Sequence, residues 1–146
     1  MIGTTHFLVG AALGSFISLP AAGVAAVSSL VPDLDTPGST LGRLAFPVSA
    51  LLNAALGHRS VLHSAIGLGI YAALFQVFAP KFLLAALIGY GSHLLLDALN
   101  PKGIFPLWPL PLKLSIPLVK AGGVLEKIIF WPLAFAVFYF SLKGVI

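Results

Sequence analysis

His93 and Asp97 stand four residues apart in GYGSHLLLDALNPKG, at the end of an apolar run with few other polar groups. On a helix that spacing puts both on one face, where an imidazole and a carboxylate share a cation or bond to each other. His63 opens the preceding apolar run, and His58 and Arg59 lie just before it in GHRSVLHS. Near the start of the chain His6 begins another such run, and Asp33 and Asp35 follow the next one in VPDLDTPGS. An ionisable group in apolar surroundings costs free energy unless it is paired, so these residues need one another or a metal. Nitrogen and oxygen donors without sulfur suit zinc, manganese or iron, often as a cluster of two ions.

Each motif alone has a plainer use. Asp33 or Asp35 can close a turn or cap a helix, and His6 can sit at an interface beside Thr4 and Thr5. His58 and His63 are five apart and work together only if His58 lies in the loop before the helix, which Gly57 permits. What distinguishes them from ordinary polar residues is where the chain brings them.

The solvent follows from composition. Of 146 residues, 59% are hydrophobic and 8% charged, with a mean hydropathy of +1.07. A soluble domain needs roughly a quarter of its residues charged. The expectation is a single integral membrane domain over residues 1–146, all-α, a polytopic bundle of about five embedded helices plus an interfacial or re-entrant helix. There is no cysteine, so disulfides and thiolate metal sites are excluded. The net charge of +4 contains no basic run, which argues against nucleic-acid binding. MIGTTHFLVG lacks the charged opening of a signal peptide and is expected to be retained.

Proline and glycine divide the chain. Apolar runs extend from about His6 to Leu19 and from about Ala21 to Val31, stopped by Pro20 and Pro32. Both are short, since ~14 helical residues cover about 21 Å of a hydrocarbon core about 30 Å thick. GSTLGRLAFPVSALLNAALG, broken at Pro47, reads as the interfacial piece. Longer runs follow, from about Ser60 to Phe78, Lys81 to Leu99 and Val124 to Leu142. PKGIFPLWPLPLKLSIPL holds five of the eleven prolines and cannot be a regular helix. With Trp108 and two lysines it reads as a belt along the interface.

Following that path, every second helix end returns to the side where the chain begins. All four histidines and three of the four acidic residues fall there, from segments far apart in sequence. Convergence of His6, Asp33, Asp35, His58, His63, His93 and Asp97 points to a metal site.

The ordered motifs THFLVG (Thr5 to Gly10), PDLDTPGS (Pro32 to Ser39), GHRSVLHS (Gly57 to Ser64) and GYGSHLLLDALNPKG (Gly89 to Gly103) resemble the YdjM-like family of membrane-bound metal-dependent hydrolases. The resemblance covers roughly residues 4 to 110. That family is thought to be distantly similar to the zinc phospholipase C and zinc nuclease superfamily, which cleaves phosphoesters on a multi-zinc cluster. The resemblance implies His6, Asp33, His58, His63, His93 and Asp97 as ligands, with Asp35 as ligand, support behind a ligand, or base. Phospholipase-type enzymes also place their N-terminal amine and tryptophan on zinc; Met1-Ile2 is expected to offer no counterpart.

The chemistry expected is hydrolysis of a membrane-lipid phosphoester on two or three divalent ions, most simply zinc. The substrate would be a phospholipid, a prenyl phosphate or a similar amphiphile. Arg59, between His58 and His63, is the first candidate for gripping phosphate and Arg43 the second; either arginine can instead reach for lipid headgroups. Arg43, Arg59, Lys102, Lys113, Lys120 and Lys127 lie on the site's side against Lys81 and Lys143 opposite. The positive-inside rule then puts the site on the cytoplasmic face of the cell's inner membrane. A small metal-ion or proton transporter, or a noncatalytic metal-stabilised membrane protein, are the alternatives.

Overall fold

A computed structural model describes residues 1–56 and 61–144. Among these described residues seven α-helices run in chain order: α1 Gly3–Ser15, α2 Leu19–Ser28, α3 Thr40–Leu44, α4 Val48–Leu56, α5 Ala65–Phe78, α6 Leu83–Ala98 and α7 Val124–Leu142. The all-helical expectation holds: among the described residues the only β pairing is an isolated antiparallel bridge between Ile104 and Leu114 in the proline-rich segment. That segment forms no regular helix, as its prolines require.

Expected and observed helix ends differ where caps outrank prolines. Pro20 does not end the first helix; it sits in the first turn of α2, where its missing N–H costs nothing. Ser18 caps that turn by accepting from the Ala21 N–H at 3.2 Å. α5 begins at Ala65 rather than Ser60, because Ser64 is its N-cap. Residues Val61–His63 therefore form a 3-10 turn. His63 is thus carried by the turn before the helix, not by the helix.

Helices α1, α2 and α6 pack through small residues. A Cβ on Gly10 would lie 2.7 Å from the Ala25 carbonyl oxygen, and one on Gly89 would lie 2.1 Å from the same atom. Ala21, Ala22, Ala25, Ala26, Ala85 and Ala86 fill the rest of the contact. Close backbone approach of this kind is characteristic of helices that associate in lipid. The outside supports the same solvent: Val77, Phe78, Leu95 and Val124 are each at least 70% exposed, while the largest fully buried side chains include Tyr90, His6, His63, His93 and Glu126. Small and polar groups face inward and large apolar ones outward.

Among the described residues two helices are long and apolar enough to cross a bilayer, Pro80–Ala98 and Val124–Leu142. Ala65–Phe78 is apolar but only 14 residues long, and α1 and α2 have 13 and 10. Two spans, rather than five, thus meet the length requirement by themselves.

Candidate metal centre

Three imidazoles meet where α1, α6 and the turn before α5 converge. His6 lies in the first turns of α1, His93 near the end of α6, and His63 at the end of its 3-10 turn; all three are fully buried. The His6 and His93 rings stack with centroids 3.7 Å apart. The Tyr90 hydroxyl donates to the Leu62 carbonyl at 2.6 Å, tying the His63 turn to α6.

The hydrogen-bond partners fix which nitrogen faces inward. His93 Nδ1 lies 2.7 Å from the Ser29 carbonyl oxygen, which can only accept, so Nδ1 carries the proton and Nε2 keeps its lone pair. His63 Nδ1 faces Asp35 Oδ2 at 3.4 Å, a carboxylate whose charge favours the proton on that nitrogen. The two Nε2 atoms then face each other at 3.2 Å. Opposed lone pairs repel, and a cation bound at either one would relieve that repulsion.

Carboxylates surround the pair. Asp97 Oδ2 lies 3.7 Å from His63 Nε2 and 3.8 Å from His93 Nε2, and Asp33 Oδ1 lies 3.9 Å from each. His6 Nε2 is 3.5 Å from Asp97 Oδ1. Two ligands about 2.1 Å from a tetrahedral ion stand roughly 3.4 Å apart, so these separations are those of co-ligands. Two triads, His6–His93–Asp97 and Asp33–His63–His93, each hold their donor atoms within 4.8 Å of one another. Neither His6 ring nitrogen makes a hydrogen bond among the described residues, although the ring is fully buried. A metal would satisfy one of these nitrogens, and the donor set fits one. Burial pushes the Asp33 carboxyl above the usual carboxylate range, with His6 and His63 pulling it back. A cation beside it would favour the ionised form.

A family model described as YdjM inner membrane protein matches residues 1–146. The chain belongs to this family. It is 32% identical over 114 residues to inner membrane protein YdjM of Escherichia coli (strain K12), covering 72% of this chain and 58% of that protein. It is 31% identical over 151 residues to the uncharacterized protein YvsG of Bacillus subtilis (strain 168), covering 96% and 94% respectively. The chain thus spans somewhat over half the length of the YdjM protein. No solved structure matches it.

Within this YdjM-family chain, five of the residues expected as ligands, His6, Asp33, His63, His93 and Asp97, come together. Asp35 belongs to neither triad; it stands behind His63, and its Oδ1 accepts from the Thr36 hydroxyl at 2.9 Å. His58 and Arg59 lie outside the described residues. Arg43 is exposed on α3 and makes no ion pair with the cluster among the described residues.

Two groups were not anticipated. The α-amino group of Met1 is buried against Asp97 Oδ1. Glu126, fully buried in the first turn of α7, accepts from the Ile2 N–H at 2.8 Å and the Gly122 N–H at 2.6 Å. One turn further along α7, the Trp131 indole donates to the Thr5 hydroxyl at 3.1 Å. Together they clamp the start of α1, which carries His6. An acid in a first helical turn was a visible signal, but its partner 124 residues away was not.

Proposed function

We propose that the chain is a membrane-embedded, metal-dependent hydrolase that cleaves a phosphoester of a membrane lipid. The observation that carries the reading is the buried meeting of the His63 and His93 Nε2 atoms at 3.2 Å, ringed by Asp33 and Asp97. His6, His93 and Asp97 would hold one divalent ion. Asp33 and His63 would serve a second, because the single lone pair of His93 serves only one. Zinc suits the donors best, and manganese or iron fit the same set. When bound, such ions supply Lewis-acid chemistry, lowering the pKa of water and polarising a phosphoester.

The remaining roles belong to the protein. Asp35 and the Ser29 carbonyl hold His63 and His93 in the ligating tautomer. Burial excludes bulk water, which strengthens each charge interaction at the cluster. The helices deliver their donors at or near their ends, which supports a site near the membrane surface rather than a midplane pathway. We place all five apolar helices in the bilayer, the short α1–α2 hairpin reaching only partway across. Phosphoester chemistry is a reaction that a nitrogen and oxygen donor set holding divalent ions would serve.

The relative named as an inner membrane protein supports that location, and the excess of lysine and arginine on the site's side supports a cytoplasmic-facing site. A cysteine at Gly38, where added atoms meet nothing within 4 Å, should be shielded from an impermeant thiol reagent in intact cells, and one at Lys143 labelled. The reverse pattern would overturn the orientation. The reaction is tested by purifying the protein without chelators, measuring its metal, and screening phosphorylated lipids. Metal and hydrolysis should both be present and should vanish together on chelation. A metal-free wild type, or hydrolysis that survives chelation, would overturn the proposal.

A further inference from the structure

Tyr90 is the largest fully buried side chain among the described residues, and it stands three residues before His93 on α6. Residues three apart are neighbours on a helix surface. The Tyr90 hydroxyl donates to the Leu62 carbonyl at 2.6 Å, and Leu62 is the residue immediately before His63. One side chain thus joins the helix of one imidazole to the backbone of the other.

Local bonds shape the 3-10 turn without fixing its distance from α6. The Ser64 N–H and hydroxyl both donate to the Val61 carbonyl, at 3.2 and 2.6 Å, and the Ala65 N–H donates to the Pro106 carbonyl at 2.8 Å. The Leu62 carbonyl differs, because its donor comes from the helix that carries His93. Gly67 on α5 leaves room for that bond. A Cβ there would lie 2.7 Å from the Tyr90 hydroxyl oxygen, 2.4 Å from the Val61 carbonyl oxygen and 2.9 Å from Leu62 Cα. Any side chain at 67 would push the hydroxyl and the turn apart. Tyr71 supplies a contrast: its ring lies against Tyr90 with centroids 5.0 Å apart, but its hydroxyl donates to Ser28 Oγ on α2 at 2.8 Å.

We infer that Tyr90 is a positioning residue for the metal centre. Through the Leu62 carbonyl it sets the 3.2 Å gap between the His63 and His93 Nε2 atoms, and with it the seat of the ion that His63 serves. Tyr90 is not itself a ligand. The inference rests on the metal reading proposed above, and it concerns the His63 ion rather than the one assigned to His6, His93 and Asp97.

The test is zinc titration of the full chain, purified in detergent and stripped of metal. Wild type should take up two ions, one of which His63→Ala loses. Tyr90→Phe keeps the ring and removes the hydroxyl; it should weaken that same ion about 10–100-fold, the range for groups behind a ligand, and leave the other within about twofold. Gly67→Ala, a second variant at the same contact, should show the same one-sided loss. Tyr71→Phe, which loses a bond of the same kind elsewhere, should bind both ions as wild type does. In a His63→Ala background Tyr90→Phe should cost nothing further, because a residue that acts through His63 has nothing left to position. Unchanged zinc binding by Tyr90→Phe, an equal loss at both ions, an equal loss in Tyr71→Phe, or an undiminished effect without His63 would each overturn the inference and leave the metal centre standing. A wild type that takes up no zinc, manganese or iron would overturn the metal reading and the inference with it.

Discussion

Asp97 and Glu126 are both buried carboxylates, and each holds one of the first two residues of the chain, yet their surroundings differ in kind. Glu126 ends on two backbone N–H groups at 2.8 and 2.6 Å, ordinary hydrogen-bond lengths. Asp97 meets the Met1 amine and three imidazoles, whose Nε2 atoms lie 3.5 to 3.8 Å away. The first set of distances is that of a completed structural clamp. The second is that of groups placed so that they could share a cation. Burial alone therefore does not mark a functional acid; the identity and spacing of its neighbours do.

Substitutions sharpen that contrast. Asp97→Asn keeps the volume but removes the charge, and should reduce metal affinity by more than the ~10–100-fold typical of groups behind a ligand. Metal titration of the purified variant reads this directly, and hydrolysis should fall in parallel. Asp35→Asn should cost that smaller ~10–100-fold, because it loosens His63 without removing a donor. If Asp35→Asn proved the more damaging of the two, Asp35 would be a ligand and the assignment would be reversed.

Glu126→Gln should separate the two carboxylates most sharply. Its amide can accept one N–H but presents N–H to the other, leaving a buried donor unsatisfied at a cost of about 1–3 kcal/mol. Thermal unfolding in detergent should show the loss, while metal bound per folded chain stays near the wild-type value. A variant of full stability that had lost its metal would place Glu126 in the cluster. Arg43→Ala, on an exposed short helix, should change neither metal nor stability, and a fall in turnover with metal unchanged would restore it as a phosphate contact.

The sequence made the order of the helices legible because proline, glycine and apolar run length act locally. It also revealed the meeting of His6, Asp33, His63, His93 and Asp97, since alternating helix directions in a membrane return every second end to one side. Helix ends were less legible. Ser18 and Ser64 cap their helices by side-chain bonds that outweigh the neighbouring breaks, which moved His63 off α5. The Glu126 clamp and the Met1 amine were not legible at all. Each depends on residues more than ninety positions apart, and no periodicity encodes that contact.

Zinc K-edge X-ray absorption on protein purified without chelators tests the metal centre most directly. The expected spectrum has a first shell of nitrogen and oxygen at about 2.0–2.1 Å with imidazole scattering beyond it, and that signal is lost in Asp97→Asn. Manganese or iron in the same shell, read at their own edges, would satisfy the same prediction. Protein that carries no such metal and gains none on titration, with its histidines buried as described, would contradict it.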